Sequence, residues 1–484
     1  MLALALSFLT PSAHASPVEF FGFGARKMGR AGEGVALQDG TDSVLSNPAA
    51  IAGGSDPELS LGFLGTSVAF TPIQPLWWDT NRDARIDAAD TPLDVGPAYD
   101  PIGGLLVGTT HPVTDTLTVG AAIFLPRRLV RLSTFDPQVP TYFLYANRAQ
   151  RYEMGLAAGW RPLAGLAIGA GAQVMPRAEY TLDATVQMTV EGGSADSTAA
   201  DVVGVGMDVH RMQLDLVPGL VPSAGAHWDV GEAVPALEGL ELGGSWRGEG
   251  GLPVDVDIDL QINAGTQDVG DLEDLRLPFL LAVQLGVFDH YVPSQWTVGA
   301  AYTFSDTLTV SGDLRRTAWD GMLVSVARVG ESTVRGAGAD LGENPVADGN
   351  PLDLTLRTTM APRLGVDLRL PGWETERTGR VRPVVRGGFG WEPSPLVTQG
   401  AESALLDASR TLFALGAGVE HGSFVDPDMD MRWDAFFQYH ALSSDTLVRP
   451  DPGVPSAGYA IDGKPLPVGG HLLAAGLQWS TTYR

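Results

Sequence analysis

Long segments of this chain alternate apolar and polar residues with a period of two, the spacing of strands that turn one face to carbon and the other to water. In "TLTVSGDLRR", Thr307 to Arg316, Leu308, Val310 and Leu314 share one face; Thr307, Thr309, Ser311, Asp313 and Arg315 share the other. The stretch 295–304 sets Trp296, Val298, Ala300, Tyr302 and Phe304 against Gln295, Thr297 and Thr303. Likewise Met431, Trp433, Ala435 and Tyr439 oppose Arg432, Asp434, Gln438 and His440. From Asp353 to Leu370 the alternation runs over eighteen residues, with Leu354, Leu356, Met360, Leu364, Val366, Leu368 and Leu370 against Arg357, Arg363, Asp367 and Arg369.

Run length separates two all-β readings. Ordinary strands average about 5 to 6 residues, whereas a tilted strand that crosses a bilayer needs about 9 to 11. These runs are ten to eighteen residues long, and their polar faces mix arginines with carboxylates, as suits a hydrated lumen. The pattern therefore predicts a transmembrane antiparallel β-barrel, because only a closed sheet leaves no unpaired backbone in lipid. Short turns are expected at 111–116, 161–165, 229–239, 304–307, 371–379 and 422–430, with longer outward loops between them. With both termini on the turn side this gives fourteen strands; a further strand at 251–263, with its neighbours, would make sixteen.

Composition agrees. The 484 residues include 60 Gly and only 18% charged residues, with no cysteine, so stability must come from sheet closure and packing, not disulfides. The opening "MLALALSFLTPSAHA", residues 1–15, reads as a secretory signal with an apolar Leu2–Leu9 stretch and the small-x-small site Ala13-His14-Ala15, although no Lys or Arg precedes Arg26. Later apolar stretches such as "FLLAVQLGVF", 279–288, are about half the length of a membrane-spanning helix. A net charge of −26 excludes nucleic acid as a partner and fits a cation-rich exterior.

The first convincing strand starts near Pro57, so residues 16–55 precede the wall and 56–484 form it. The preceding forty residues include Phe20, Phe21, Phe23 and Met28, which need burial. A fourteen-stranded lumen is too wide for its own side chains to fill, and a compact N-terminal plug, or hatch, would close it. Within this segment "FGFGARKMGRAGEGVALQDGTDSVLSNPAAIAG", Phe21 to Gly53, has a Gly-rich opening at Phe21-Gly22, a Gly-x-Ala-Gly step and Asn47-Pro48-Ala49. Together with 296–319, 381–395, 405–419 and the closing "GGHLLAAGLQWSTTYR", it resembles the FadL/TodX family of outer-membrane transporters for long-chain fatty acids and other hydrophobic compounds. The sequence departs from such barrels in ending Tyr483-Arg484 instead of on an aromatic, and in a long 251–289 region.

The resemblance implies a bacterial outer-membrane channel, not an enzyme, for passive, ligand-gated uptake. Ligand would be captured among the outer loops, displace part of the plug and leave through a gap in the wall at a kinked strand, by analogy Leu117 to Phe124 with Gly120 at the kink.

Two loops are unusually apolar: "PIQPLWWDT" with Leu76, Trp77 and Trp78, and "FDPQVPTYFLYANR" with Phe135, Tyr142, Phe143, Leu144 and Tyr145. They are either an interfacial aromatic belt or the capture groove. Arg127, Arg128, Arg131 and Arg148 beside them would receive a ligand carboxylate or contact lipopolysaccharide phosphates. "DTNRDARIDAAD" places Asp79, Asn81, Asp83, Asp87 and Asp90 at positions 1, 3, 5, 9 and 12 of an EF-hand-like loop, a candidate structural Ca²⁺ site. Ala84 replaces its turn glycine and Asp90 its bidentate Glu; the alternative is a solvated acidic loop. Asp255, Asp257 and Asp259 form an acidic row, either a second cation site or a lumen face, and Arg357, Arg363, Arg382 and Arg386 are candidate lumen cations that would either receive a ligand carboxylate or simply pair with protein acids. Enzyme signals are poor: no Cys, no paired metal-spaced His and no Gly-x-Ser-x-Gly. The expected partners are a hydrophobic small molecule or fatty acid and outer-membrane lipid, with no required cofactor and a monomeric barrel. The rival readings are a general porin or structural barrel, which needs no compact segment before strand one, and an outer-membrane lipid hydrolase.

Overall fold

The computed structural model describes residues 20–52, 54–73, 76–78, 87–88, 91–93, 101–127, 140–142, 144, 152–191, 201–267, 276–321, 328–336, 339–343, 354–399, 405–423, 426, 428–447, 459–460 and 466–483. The signal-like residues 1–15 lie outside them.

Fourteen strands close into one antiparallel barrel. They are β1 (Glu58–Phe70), β2 (Gly103–Thr114), β3 (Leu117–Pro126), β4 (Glu153–Leu163), β5 (Leu166–Glu191), β6 (Asp201–Asp229) and β7 (Leu240–Arg247), followed by β8 (Ser294–Phe304), β9 (Leu308–Ala318), β10 (Thr359–Arg369), β11 (Gly379–Glu392), β12 (Arg410–Gly422), β13 (Met429–Leu447) and β14 (Leu466–Tyr483). Each pairs with its chain neighbour, and β14 returns to β1 with Phe63 opposite Leu477. No wall strand is left as an edge, so the backbone is satisfied in lipid.

The period-two pattern sorts side chains as hydrocarbon outside and a filled lumen inside would require. Trp296, Val298, Tyr302 and Phe304 of β8 stand exposed, while Thr297 and Ala301 are buried. On β9 the exposed set is Val310 and Leu314, and the buried set Thr309, Ser311 and Asp313. On β13 Trp433, Phe437 and Tyr439 face out against Asp434, Gln438 and His440 within.

Sixteen strands are excluded, because β7 pairs directly with β8, Trp246 opposite Trp296. The 251–263 stretch belongs instead to a hairpin, Gly250–Gln267 with Arg276–Val292, outside the wall circuit. Its first strand, which carries the Asp255, Asp257 and Asp259 row, runs parallel to the outer half of β5, Asp255 opposite Glu179. The run from Asp353 to Leu370 is also broken. Only Thr359–Arg369 lies in the wall, whereas Leu354–Leu356 pairs with Leu396–Gln399 among the loops. Arg357 is therefore exposed beside the loops, its Nε donating to the Ser394 carbonyl at 3.0 Å, and is not a lumen cation.

Candidate functional site

Residues 20–52 lie within the barrel. Helix α1 (Ala25–Gly29) and two single 3-10 turns, Gly40–Ser43 and Pro48–Ile51, are the regular pieces of this segment. Gly24 has φ +85°, and a Cβ there would overlap the Asp42 carboxylate, so the approach to α1 demands glycine. The second turn starts at Asn47, whose Oδ1 accepts from the Ala49 amide at 3.1 Å while Pro48 occupies the first turn position. Its Nδ2 donates to the Val35 carbonyl at 2.7 Å and to Ala226 of β6 at 3.1 Å, tying segment to wall. The same turn lies on Gly159, Gly169 and Gly225 of β4, β5 and β6, where any Cβ would strike Asn47 or Pro48. Phe21, Asn47, Pro48 and Ala49 are buried and Gly22 partly so.

Charge holds the segment from the turn side. Arg26 meets Asp42 at 3.2 Å and Glu58 of β1 at 3.1 Å; Arg30 reaches Asp39, Glu33 at 2.9 Å and Asp367 of β10 at 2.7 Å. The wall continues the chain of pairs through Arg386 to Asp434 at 2.6 Å and Arg432 to Asp434 and Glu58, both at 2.9 Å. Arg363 and Arg386, candidate receivers of a ligand carboxylate, are thus engaged by protein acids, Arg363 pairing with Glu392 at 3.3 Å. Arg382 lines a polar cavity of about 310 Å³ at the turn side together with Arg380, Glu420, His421, Asp430 and Arg432.

Toward the loops the lumen changes character. One apolar cluster joins Phe20, Phe21, Phe23 and Met28 of the segment to Leu64, Leu106, Phe124, Phe436 and Leu472 of the wall and to Ile102, Leu144, Trp319, Leu405 and Leu406 of the loops. Tyr142 closes its side: fully buried, it stacks on Phe70 with ring centroids 3.9 Å apart, donates to the Gly469 carbonyl at 3.0 Å and accepts from the Gly469 amide at 2.7 Å. Leu76–Trp78 form a short strand between Thr91–Leu93 and Tyr459–Ala460. Arg127 is exposed at the end of β3, its backbone amide bonded to Gly103. Phe135, Phe143, Tyr145, Arg128, Asp79, Asn81, Asp83 and Asp90 lie outside the described residues; Asp87 is described and exposed.

The kink expected at Gly120 is not there. β3 pairs residue for residue with β4, Gly120 opposite Ala157, and with β2, opposite Thr110. A Cβ at Gly120 would press on Val44, so this glycine serves close packing of the N-terminal segment, not a gap in the wall.

At the loop end sits a polar group that strand patterning did not single out. Asp407, between Leu406 and Ala408, is buried, and the Ser394 hydroxyl donates to its Oδ2 at 2.6 Å. Burial pushes its carboxyl up to about 7, against the opposing pull of Ser394, the Ala408 amide and Arg410. A lone acid in the apolar run "LLDA" is the only sequence signal it offers.

Neither a family model nor a curated protein matches the chain. Among solved structures, a Pseudomonas aeruginosa FadL homologue is similar at a TM-score of 0.54 and 15% identity, over 98% of this chain and 99% of that one. This chain has the FadL fold. The Ralstonia pickettii toluene transporter TbuX (TM-score 0.46, 14% identity, 96% and 99% covered) and the Pseudomonas putida toluene transporter TodX (0.47, 14%, 96% and 99%) are also similar. A closed barrel of this fold with an apolar outward face is built to stand in a lipid bilayer.

Proposed function

We propose that this barrel is a passive channel for hydrophobic small molecules, long-chain fatty acids or similar compounds, with residues 20–52 acting as its plug. The observation that supports this most is the continuity of the apolar cluster from the outer loops onto Phe20, Phe21 and Phe23. A molecule that leaves water among those side chains gains roughly 0.8 kcal/mol per buried methylene, and its path ends on the segment that fills the bore. A hydrated porin is disfavoured by the same arrangement, since its pore would have to pass this segment. Movement of the segment, not a pre-formed wall gap at Gly120, is the gating step, because β3 stays paired with both β2 and β4 through that residue.

A reversible lock tests the proposal. The Cβ position of Gly29 lies 3.6 Å from Cβ of Arg386, within the usual disulfide range, and the chain has no other cysteine to interfere. The Gly29→Cys/Arg386→Cys variant, oxidised in cells, is expected to abolish uptake of radiolabelled oleate and 1-dodecanol and to regain it with reductant. Uptake of both that ignores the lock would overturn plug gating. Failure of the unlocked wild type to admit either would overturn the channel.

A further inference from the structure

A narrow cleft of about 10 Å³, room for one hydroxyl-sized group until its apolar sides part, lies between the tip of the N-terminal segment and the outer loops. Phe20, Leu144, Trp319 and Ala408 supply its apolar sides, with Asp407, Arg410 and Glu392 at its polar end. Asp407 is 9% exposed, and one oxygen is accounted for by Ser394. The other, Oδ1, is buried and has no hydrogen-bond partner among the described residues.

The nearby cations are directed elsewhere. Arg410 donates from both Nε (3.0 Å) and Nη2 to Glu392 Oε2, which also receives Arg363 Nη2 at 3.3 Å, and the Arg410 guanidinium lies over the Phe20 ring, 4.3 Å from its centroid. Among the described residues three guanidiniums, Arg410, Arg363 and Arg315, act on the Glu392 carboxylate. The open oxygen needs a donor: a neutral hydroxyl would satisfy it, whereas an ionised ligand carboxylate, which only accepts, cannot.

We propose that the cleft binds the polar end of an apolar molecule bearing an uncharged hydroxyl, with Asp407 Oδ1 accepting from it, and that it discriminates against carboxylates. This rests on the hydrophobic-channel reading and narrows it: the preferred cargo is an alcohol or phenol. Its tail lies along Phe20, Leu144 and Trp319 and its head on Asp407.

The test uses the full barrel held in amphipol, free of micelles, and equilibrium dialysis of three radiolabelled probes at pH 8: 1-octanol, its isomer 1-methoxyheptane, which lacks the donor, and octanoate. Wild type is expected to hold 1-octanol about tenfold more tightly than the ether, the size of one hydrogen bond to a charged group, and to hold octanoate least. Asp407→Ala should erase the preference for alcohol over ether. Asp407→Asn keeps an acceptor and should retain the preference to within about threefold, which separates loss of the acceptor from loss of the fold. An ether bound as tightly as the alcohol by wild type, or a preference that survives Asp407→Ala, overturns the proposal while leaving the channel standing. Failure of all three probes to bind wild type overturns both.

Discussion

At the turn end of the lumen the N-terminal segment is fastened by a chain of buried ion pairs, Arg30 to Asp367 and Arg386 to Asp434 among them, whereas at the loop end it meets the wall through Phe20, Phe21 and Phe23. These two zones have different physical consequences. Paired guanidiniums and carboxylates impose register and geometry, and separating them leaves desolvated charge. Apolar contacts are non-directional and can be exchanged for those of a ligand of similar bulk. On the proposed function, a segment clamped by charge below and touched by carbon above would be loosened from the loop side, where a hydrophobic molecule would arrive.

The largest effect follows from breaking the charged zone. Asp434 is fully buried and carries both Arg386 and Arg432. Asp434→Leu leaves buried Arg386 with only the 3.6 Å contact to Asp367 and Arg432 with only Glu58, and is expected to destabilise the barrel by up to about 3–5 kcal/mol, read as the midpoint of urea unfolding in detergent. Arg386→Met combined with Asp434→Leu should recover a substantial part of that loss, since a matched apolar pair leaves only Arg432 to be satisfied by Glu58. A double variant as damaged as the single one would mean that Arg386 contributes nothing through Asp434.

Smaller and more local is the loss of the Asn47 anchor between segment and wall. Asn47→Ala removes a turn cap and two side-chain donations, to Val35 and Ala226. Each orphaned buried group costs about 1–3 kcal/mol. Amides of residues 35–52 should therefore exchange about ten- to a hundredfold faster while the amides of β8 and β9 keep their rates. Equal acceleration in those strands would show that Asn47 supports the whole barrel and not the segment alone.

What the residue pattern disclosed divides along the same line. Alternation identified the inner and outer faces of β8, β9 and β13 because a membrane strand must show carbon on one side, and the six short turns fell between wall strands. Pattern alone does not say which strand pairs with which, so it leaves open a further wall strand at 251–263, although that stretch pairs in a hairpin beyond the wall. Contacts across the lumen join residues hundreds of positions apart, as Arg30 with Asp367, and leave no local signature. For that reason the sequence leaves open whether Arg363 and Arg386 await a ligand carboxylate or pair with protein acids, and protein acids hold them. Gly120 read as a kink because a strand glycine has more than one use, and only the position of Val44 reveals which.

The mildest test concerns Asp407, the charged group that belongs to the apolar zone. An aspartate in an unfolded chain titrates near 3.9, and burial pushes this one up to about 7. Between those values the folded protein keeps a proton that the unfolded chain has given up, so stability falls as pH rises through the window and is lowest above about 7. Asp407→Asn carries no such proton. The variant should match wild type near pH 4 and exceed its unfolding temperature by a few degrees at pH 8, followed by the heat-dependent gel mobility of the barrel. Ser394, Arg410 and Glu392 face the carboxyl, and Arg410 and Glu392 are joined to each other, so the difference should grow steadily between about 4 and 7 and level off above. A difference independent of pH would place Asp407 in contact with water, and the apolar zone would then be open at rest.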